Sequence, residues 1–321
     1  MATIMVRAHD ASPPARVLFV TGAPPDGLAG GVKVAHRHAE LLVDLGIDAQ
    51  VLAPRGRPVW FRSKAVVTTD PRLRVGPSDL LVFGEEMDRN LDAARPLPCQ
   101  RALYCQNHHY LPLDRLNGQG LAEAGFHRVA AASRVIGAFL DSAMGWPGAP
   151  VLSPPIDPAL FRPGPKTLRV AVLPRKLPEH AAFIRAVFRQ KNPDLTGVEW
   201  VEIVGRHEEE VADILAGSAV FLSLGHREGL GMVALEAMAS GCAVVGFHGM
   251  GGLDYATPEN GRWFFSDDMI ACADALADVL RGLEGGDSTV AAMIQAGQTT
   301  AAAHAPDRVK AQLLPFYGAG A

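Results

Sequence analysis

Long apolar runs are missing from this sequence. No stretch reaches the ~18 to 20 consecutive apolar residues that span a bilayer, so no transmembrane helix is expected. The opening MATIMVRAHDASPPAR carries charge and proline where a secretory signal would be apolar, and residues 1–15 read as a flexible leader. Cysteine is scarce. The four present, Cys99, Cys105, Cys242 and Cys272, form no CxxC pair and no metal-ligand spacing, which points to reduced, buried thiols in the cytoplasm. Charge of one sign is also lacking: a formal net charge of -4 leaves no global basic footprint, so nucleic acid is excluded as the expected partner. Neither an internal repeat at solenoid periods nor a low-complexity tract is present.

What remains is ample for large cores. With 321 residues, 48% of them hydrophobic and 20% charged, the chain suits two globular domains better than one. The first apolar run, Val17 to Val20, ends in a turn-rich stretch that closes on Gly30-Gly31. Helical spacing of Val32, Ala35, Ala39, Leu42 and Leu45 follows, with Gly46 at the expected helix stop and a second strand over Ala49 to Ala53. This βαβ pattern predicts a parallel sheet. Strands are also expected at Leu80 to Phe83 and Ala102 to Cys105, and a helix from Val129 to Ala143. Both strands end in polar residues, Gly84-Glu85-Glu86 and Gln106-Asn107-His108-His109, where open α/β sheets place their binding crevice.

Residues 151–165 are proline-rich, which rules out a helix or central strand and marks a linker between domains 16–150 and 166–300. The second domain repeats the α/β alternation. Strands are expected near 169–173, 201–204, 220–222 and 243–245, and helices near 181–190, 209–215, 232–239 and 269–283. Residues 301–321 read as a helical tail, with a return to the first domain left open. The run Val59-Trp60-Phe61-Arg62-Ser63-Lys64 is either a core-packing loop or, as the less favoured alternative, a membrane- or acceptor-facing patch.

The chemistry concentrates between His226 and Gly241. There Glu228 and Glu236 flank a glycine turn that opens a helix. Gly229 and Gly231 let the backbone approach a ligand, and the free N–H groups of the first helical turn favour an anion such as a diphosphate. Taken alone, this pattern fits an ordinary capped helix equally well.

The stretch is similar, however, to the E-x7-E signature of the family 4 glycosyltransferases, retaining enzymes of the GT-B fold, with seven residues between Glu228 and Glu236. Around it, Val211 to Ser223, the strand Ala243 to Val245, the glycine loop Gly249-Met250-Gly251-Gly252 and the turn Asn260-Gly261 extend the likeness over roughly sixty residues. Gly30-Gly31, Ser133 ahead of a helix, and the linker 153–163 resemble further family landmarks.

The resemblance implies an α/β GT-B chain, two Rossmann-like domains facing each other across a cleft. Its activity would be transfer of a sugar from a nucleotide-diphosphate donor to a hydroxyl of a glycan or lipid-linked acceptor, with retention. In that reading Glu236 holds the ribose hydroxyls and Glu228 the transferred sugar. Gly229, Leu230 and Gly231 offer backbone N–H groups, Gly30 and Gly31 face the donor phosphates, and Arg175 and Lys176 neutralise the diphosphate. No cofactor or metal is implied, the nucleotide sugar being a co-substrate, and no D-x-D triplet occurs anywhere in the chain. Cytoplasmic work near the inner face of a membrane follows by analogy, with peripheral association left open.

Three departures stand out. Arg175 and Lys176 are adjacent, where the family separates its two cations. Only one helix fits between them and Val201, so a βα unit is missing. Gln106 stands where the family has a histidine, leaving His108 as the catalytic candidate, while Glu85, Gln106 and Asn107 go to the acceptor side. Glu85 and Glu86 are equally readable as solvated loop charges. The rival functions are a nucleotide-sugar epimerase or hydrolase of the same fold, and a degenerate sugar-nucleotide-binding subunit.

Overall fold

The computed structural model describes residues 16–70, 72–86, 96–111, 113–116 and 120–318. They form two compact units, one made of the described residues up to Pro155 and from Pro306 on, the other of Ile156–Ala305. The expected leader, residues 1–15, lies outside the described residues.

In the first unit the strands are β1 (Arg16–Val20), β2 (Asp48–Leu52), β3 (Val66–Thr68), β4 (Leu80–Phe83), β5 (Gln100–Cys105) and β6 (Arg128–Ala131). They pair in parallel in the order β3-β2-β1-β4-β5-β6. Such strands, covered on both faces, read as continuous apolar runs, and Leu80 to Phe83 is buried at all four positions. Helix α1 (Gly30–Asp44) follows β1, and Gly46, with φ 81°, takes the left-handed position just beyond it. A single turn, α2 (Leu113–Leu116), precedes β6, and α3 (Arg134–Met144) follows it.

The helix expected from Val129 is corrected here. Residues 129–131 belong to β6, whose Ala131 lies opposite Cys105, and the helix starts only after Ser133. The Ser133 hydroxyl accepts the Ile136 N–H at 3.3 Å, a helix N-cap. Small, buried alanines fit a central strand as well as a helix, so periodicity alone could not separate the two. The 59–64 loop is a packing loop: Trp60 and Phe61 are buried, and the Trp60 indole donates to the Gly27 carbonyl at 3.0 Å. Glu40 pins the loop's other end through the Ser63 hydroxyl and the Lys64 N–H, each at 2.7 Å.

The second unit holds β7 (Thr167–Val172), α4 (Pro178–Lys191), β8 (Glu199–Glu202), α5 (Glu208–Gly217), β9 (Ser218–Gly225), α6 (Met232–Ala239), β10 (Ala243–His248), β11 (Arg262–Phe264), α7 (Met269–Gly285) and α8 (Ser288–Ala302). Its sheet is parallel in the order β11-β10-β9-β7-β8. Strand alternation splits its core in two. Val170, Val172, Val220, Leu222 and Val245 pack on one face with α4 and α7, while Ala171, Phe221 and Val244 pack on the other with α5 and α6. One α-helix, followed by a short 3-10 turn at Pro193–Leu195, joins β7 to β8, as the spacing before Val201 predicts.

The last helix, α9 (Pro306–Tyr317), belongs to the first unit. Lys310 pairs with Asp44 of α1 at 2.9 Å, and the Tyr317 ring lies 5.6 Å from that of Phe19. All four cysteines are buried and unpaired. Among the described residues no helix is long and apolar enough to cross a membrane.

Candidate active site

In the second unit β7 and β9 lie side by side although β8 falls between them in sequence. The chain therefore leaves their carboxyl ends in opposite directions, and a crevice opens there, the switch point of an open α/β sheet. Two loops emerge at it, residues 173–177 after β7 and 226–231 after β9. With His248 and Tyr255 they line a concavity that includes Arg175, Lys176, Glu228 and Gly231.

Lys176 ties the two loops together. Its ammonium lies 2.9 Å from Glu228 Oε1 and donates to the carbonyls of His226 and Arg227 at 3.3 and 3.4 Å. Arg227 has φ 48°, a left-handed conformation that costs a side-chain-bearing residue roughly 1–2 kcal/mol. The carbonyl turned by that conformation is one of those Lys176 binds. Arg175, beside it, is exposed.

The glycines act by close approach. Gly231, at φ 85° and ψ 54°, is the N-cap of α6, and with Val233 and Ala234 it lines the concavity, so the N-terminus of that helix borders it. Gly251, in the turn after β10, donates its N–H to the Glu228 carbonyl at 3.0 Å. A Cβ on Gly251 would stand 2.5 Å from the Gly229 oxygen and the Leu230 nitrogen, so only glycine permits this contact. Leu230 itself is buried in the core, which leaves its backbone alone for ligand contact.

The structure thus brings together Arg175, Lys176, Glu228 and Gly231. Glu236 is buried on α6 and, like Gly229 and Leu230, is not among the residues lining the concavity. Tyr255 is a lining residue that sequence reasoning passed over. Its hydroxyl donates to the Gly231 carbonyl at 2.9 Å. Burial raises the phenol well above its ordinary pKa, and the Glu228 and Asp254 carboxylates add to the rise, so it stays a donor. The only sequence signal was an aromatic residue placed just after a glycine pair.

In the first unit the switch point lies between β1 and β4. Gly30 and Gly31 open α1 there, Glu85 follows β4, and Gln106 follows β5. Gln106 bridges the others: its side-chain amide donates to the Gly31 carbonyl at 3.1 Å and its backbone N–H to Glu85 Oε2 at 2.9 Å. Glu85 is only 8% exposed, and burial pushes its carboxyl up to about 7 against the opposing backbone hydrogen bonds. It is no solvated loop charge. The Asn107 side chain accepts the His109 N–H at 3.2 Å and so caps the short turn His108–Tyr110. The His108 ring is buried against His109 and Phe139, with centroids 4.2 and 4.8 Å away, and burial lowers its pKa. Among the described residues no three His, Cys, Asp or Glu side chains converge as a metal site.

Comparison with known proteins bears on the fold. Residues 179–282 match the family described as Glycosyl transferases group 1. An Alpha-1,6-glucosyltransferase of Actinobacillus pleuropneumoniae serotype 7 (strain AP76) is 28% identical over 229 residues, 68% of this chain and 69% of that protein. Among solved structures, a glycosyltransferase from Rickettsia africae ESF-5 superposes with a TM-score of 0.68 at 12% identity, covering 96% of this chain and 98% of that one. Anabaena Alr3699/HepE, in complex with UDP and glucose, gives 0.70 at 13% identity over 95% and 100%. At such identities the likeness speaks for the fold. This chain has the GT-B fold, two Rossmann-like units with parallel sheets, and its second unit is related to the group 1 glycosyl transferases.

Proposed function

We propose that the protein is a retaining, metal-independent glycosyltransferase that moves a sugar from a nucleotide-diphosphate donor to a hydroxyl of a glycan or lipid-linked acceptor. One observation carries the reading: Arg175, Lys176, Glu228 and the N-terminus of α6 meet in a single concavity at the sheet switch point. Two cations and a helix N-terminus suit a diphosphate, and a carboxylate beside them suits sugar hydroxyls. Glu228 and α6 also fall inside the segment matched by the group 1 glycosyl transferases.

In the reaction, the acceptor oxygen bonds to the anomeric carbon as the bond from that carbon to the diphosphate oxygen breaks. The acceptor hydroxyl proton passes to the departing diphosphate, on the same face, so configuration is kept and no protein nucleophile is needed. Catalysis then rests on positioning and on charge stabilisation at the leaving group by Arg175, Lys176 and the α6 N–H groups. Donor binding competes with Glu228 for Lys176, and frees the carboxylate for the sugar. Glu236 is assigned to the ribose, Gly229, Leu230 and Gly231 to sugar or phosphate, and Gly30 and Gly31 to the phosphates. Glu85, Gln106 and Asn107 are assigned to the acceptor, His108 to the reacting sugar. The work is placed on the cytoplasmic side of a membrane, where such acceptors are made.

The A. pleuropneumoniae relative is a glucosyltransferase and the HepE structure holds UDP and glucose, which makes UDP-glucose the first donor to try. Incubation with a nucleotide-sugar panel, with and without glycan and lipid-linked acceptors and in excess chelator, tests the reading. Expected is acceptor-dependent product whose anomeric configuration by NMR matches the donor. Donor conversion without acceptor would mean an epimerase or hydrolase, every donor left intact would mean a binding subunit, and loss of activity in chelator would sink metal independence.

A further inference from the structure

The loop 228–231 is fastened at both ends by one turn, residues 251–255. At the near end the Gly251 N–H donates to the Glu228 carbonyl at 3.0 Å, and at the far end the Tyr255 hydroxyl donates to the Gly231 carbonyl at 2.9 Å. The far contact differs in consequence. A trans peptide is planar, with C=O and N–H pointing in opposite directions, so fixing the Gly231 carbonyl fixes the Met232 N–H on the other side of the same plane. Met232 is the first residue of α6, and its N–H has no intrahelical acceptor.

Gly231 has little else to hold that plane. It is a glycine in the left-handed region, free to swing, and it caps the helix without a side-chain hydrogen bond. Its carbonyl accepts one long intrahelical bond, from Ala234 at 3.3 Å, besides the tyrosine. Tyr255 is well anchored for the task. Its own carbonyl accepts the Asn260 side-chain amide at 2.7 Å, and its ring packs edge-on against Trp263 and His304, at 6.1 and 6.4 Å.

We infer that Tyr255 is a positioning residue, whose hydroxyl holds the Gly231–Met232 peptide so that the Met232 N–H is presented to the donor diphosphate. The inference rests on the function proposed above and adds to it the residue that sets the anion-binding backbone. Tyr255 acts through the peptide, not on the substrate. Its buried phenol remains protonated, so this control is constant across neutral pH.

The test is titration calorimetry of the full chain with UDP, ADP and GDP and with the matching nucleosides, on wild type, Tyr255→Phe and Trp263→Phe. Wild type that binds none of the diphosphates overturns the proposed function itself. Given wild-type binding, Tyr255→Phe is expected to weaken the preferred diphosphate about tenfold, leave its nucleoside unchanged, and lower the unfolding temperature by only a few degrees. Trp263→Phe, which disturbs the packing and keeps the hydroxyl, is expected to lower stability without a diphosphate-selective loss. Unchanged diphosphate affinity in Tyr255→Phe, or an equal loss for diphosphate and nucleoside, overturns the positioning role and leaves the proposed function standing. Should Tyr255→Phe not fold, 3-fluorotyrosine at position 255 supplies the reading: its stronger donor is expected to tighten diphosphate binding, and unchanged affinity overturns the inference.

Discussion

At the scale of the residue, two carboxylates at two sheet edges are held in opposite ways. Glu228 is half-buried and lies 2.9 Å from the Lys176 ammonium. Glu85 is buried and accepts backbone N–H donors, and burial outweighs them, taking it from the usual carboxylate range up to about 7. A raised acid pKa means the folded state holds a proton that the unfolded chain releases near pH 4.5. Stability from this group is therefore full below about pH 4.5 and is lost as pH rises through about 7. His36 and His38, lowered to about 4 by burial, act oppositely below about pH 6.5, so the bulk pH profile mixes the two. Comparison with Glu85→Gln removes that mixture. The glutamine keeps an acceptor for the Gln106 N–H, and its unfolding free energy relative to wild type is expected to rise by about 3 kcal/mol or less between pH 5 and pH 8. Urea unfolding at the two pH values checks this; a difference independent of pH would refute the burial argument.

At the scale of the element, the site is a matter of turns, and here the sequence was only partly readable. The strand–loop–helix alternation of the second unit is written in its apolar runs, and α6 spans Met232–Ala239 as its spacing predicts. Short strands were hidden: Val66–Thr68 has three residues, and Arg128–Ala131 merges with the helix after it. The link from the 251–255 turn to the 228–231 loop was invisible, because a contact between residues 24 apart, Tyr255 and Gly231, leaves no local pattern. Gly251 nevertheless makes that link testable. Gly251→Ala forces a methyl into the Gly229 and Leu230 backbone, which cannot rotate away as a side chain can. The expected cost is about 1–3 kcal/mol of stability, with donor binding weakened at least as much as in Tyr255→Phe. Gly285→Ala, at the end of α7 with nothing within 4 Å of the added carbon, is the control and is expected to be neutral or slightly stabilising. Equal behaviour of the two variants in thermal unfolding would show that the turn is not packed on the loop.

At the scale of the whole molecule, the chain order and the units do not coincide. α9 ends the sequence yet completes the unit that begins it, and its amphipathic pattern alone does not say which unit receives its apolar face. The contacts do. Val309, Leu313 and Tyr317 are buried, the Gln312 side chain accepts the Ser153 N–H at 2.7 Å, and the Phe316 carbonyl accepts from Arg128 at 2.7 Å. With Lys310 on Asp44 and Tyr317 on Phe19, each contact is to the first unit. Three buried apolar side chains at ~1.5–3 kcal/mol each put the helix at about 4.5–9 kcal/mol for that unit, a large share of a domain's ~5–15 kcal/mol. Truncation after Ala305 is therefore expected to cripple the first unit selectively. Hydrogen exchange is the measurement: amides of β1, α1 and β5 should lose protection while those of β7, β9 and β10, whose core contains no α9 residue, keep theirs. Uniform loss across both units, or none, would mean that α9 is not the closing element of the first core.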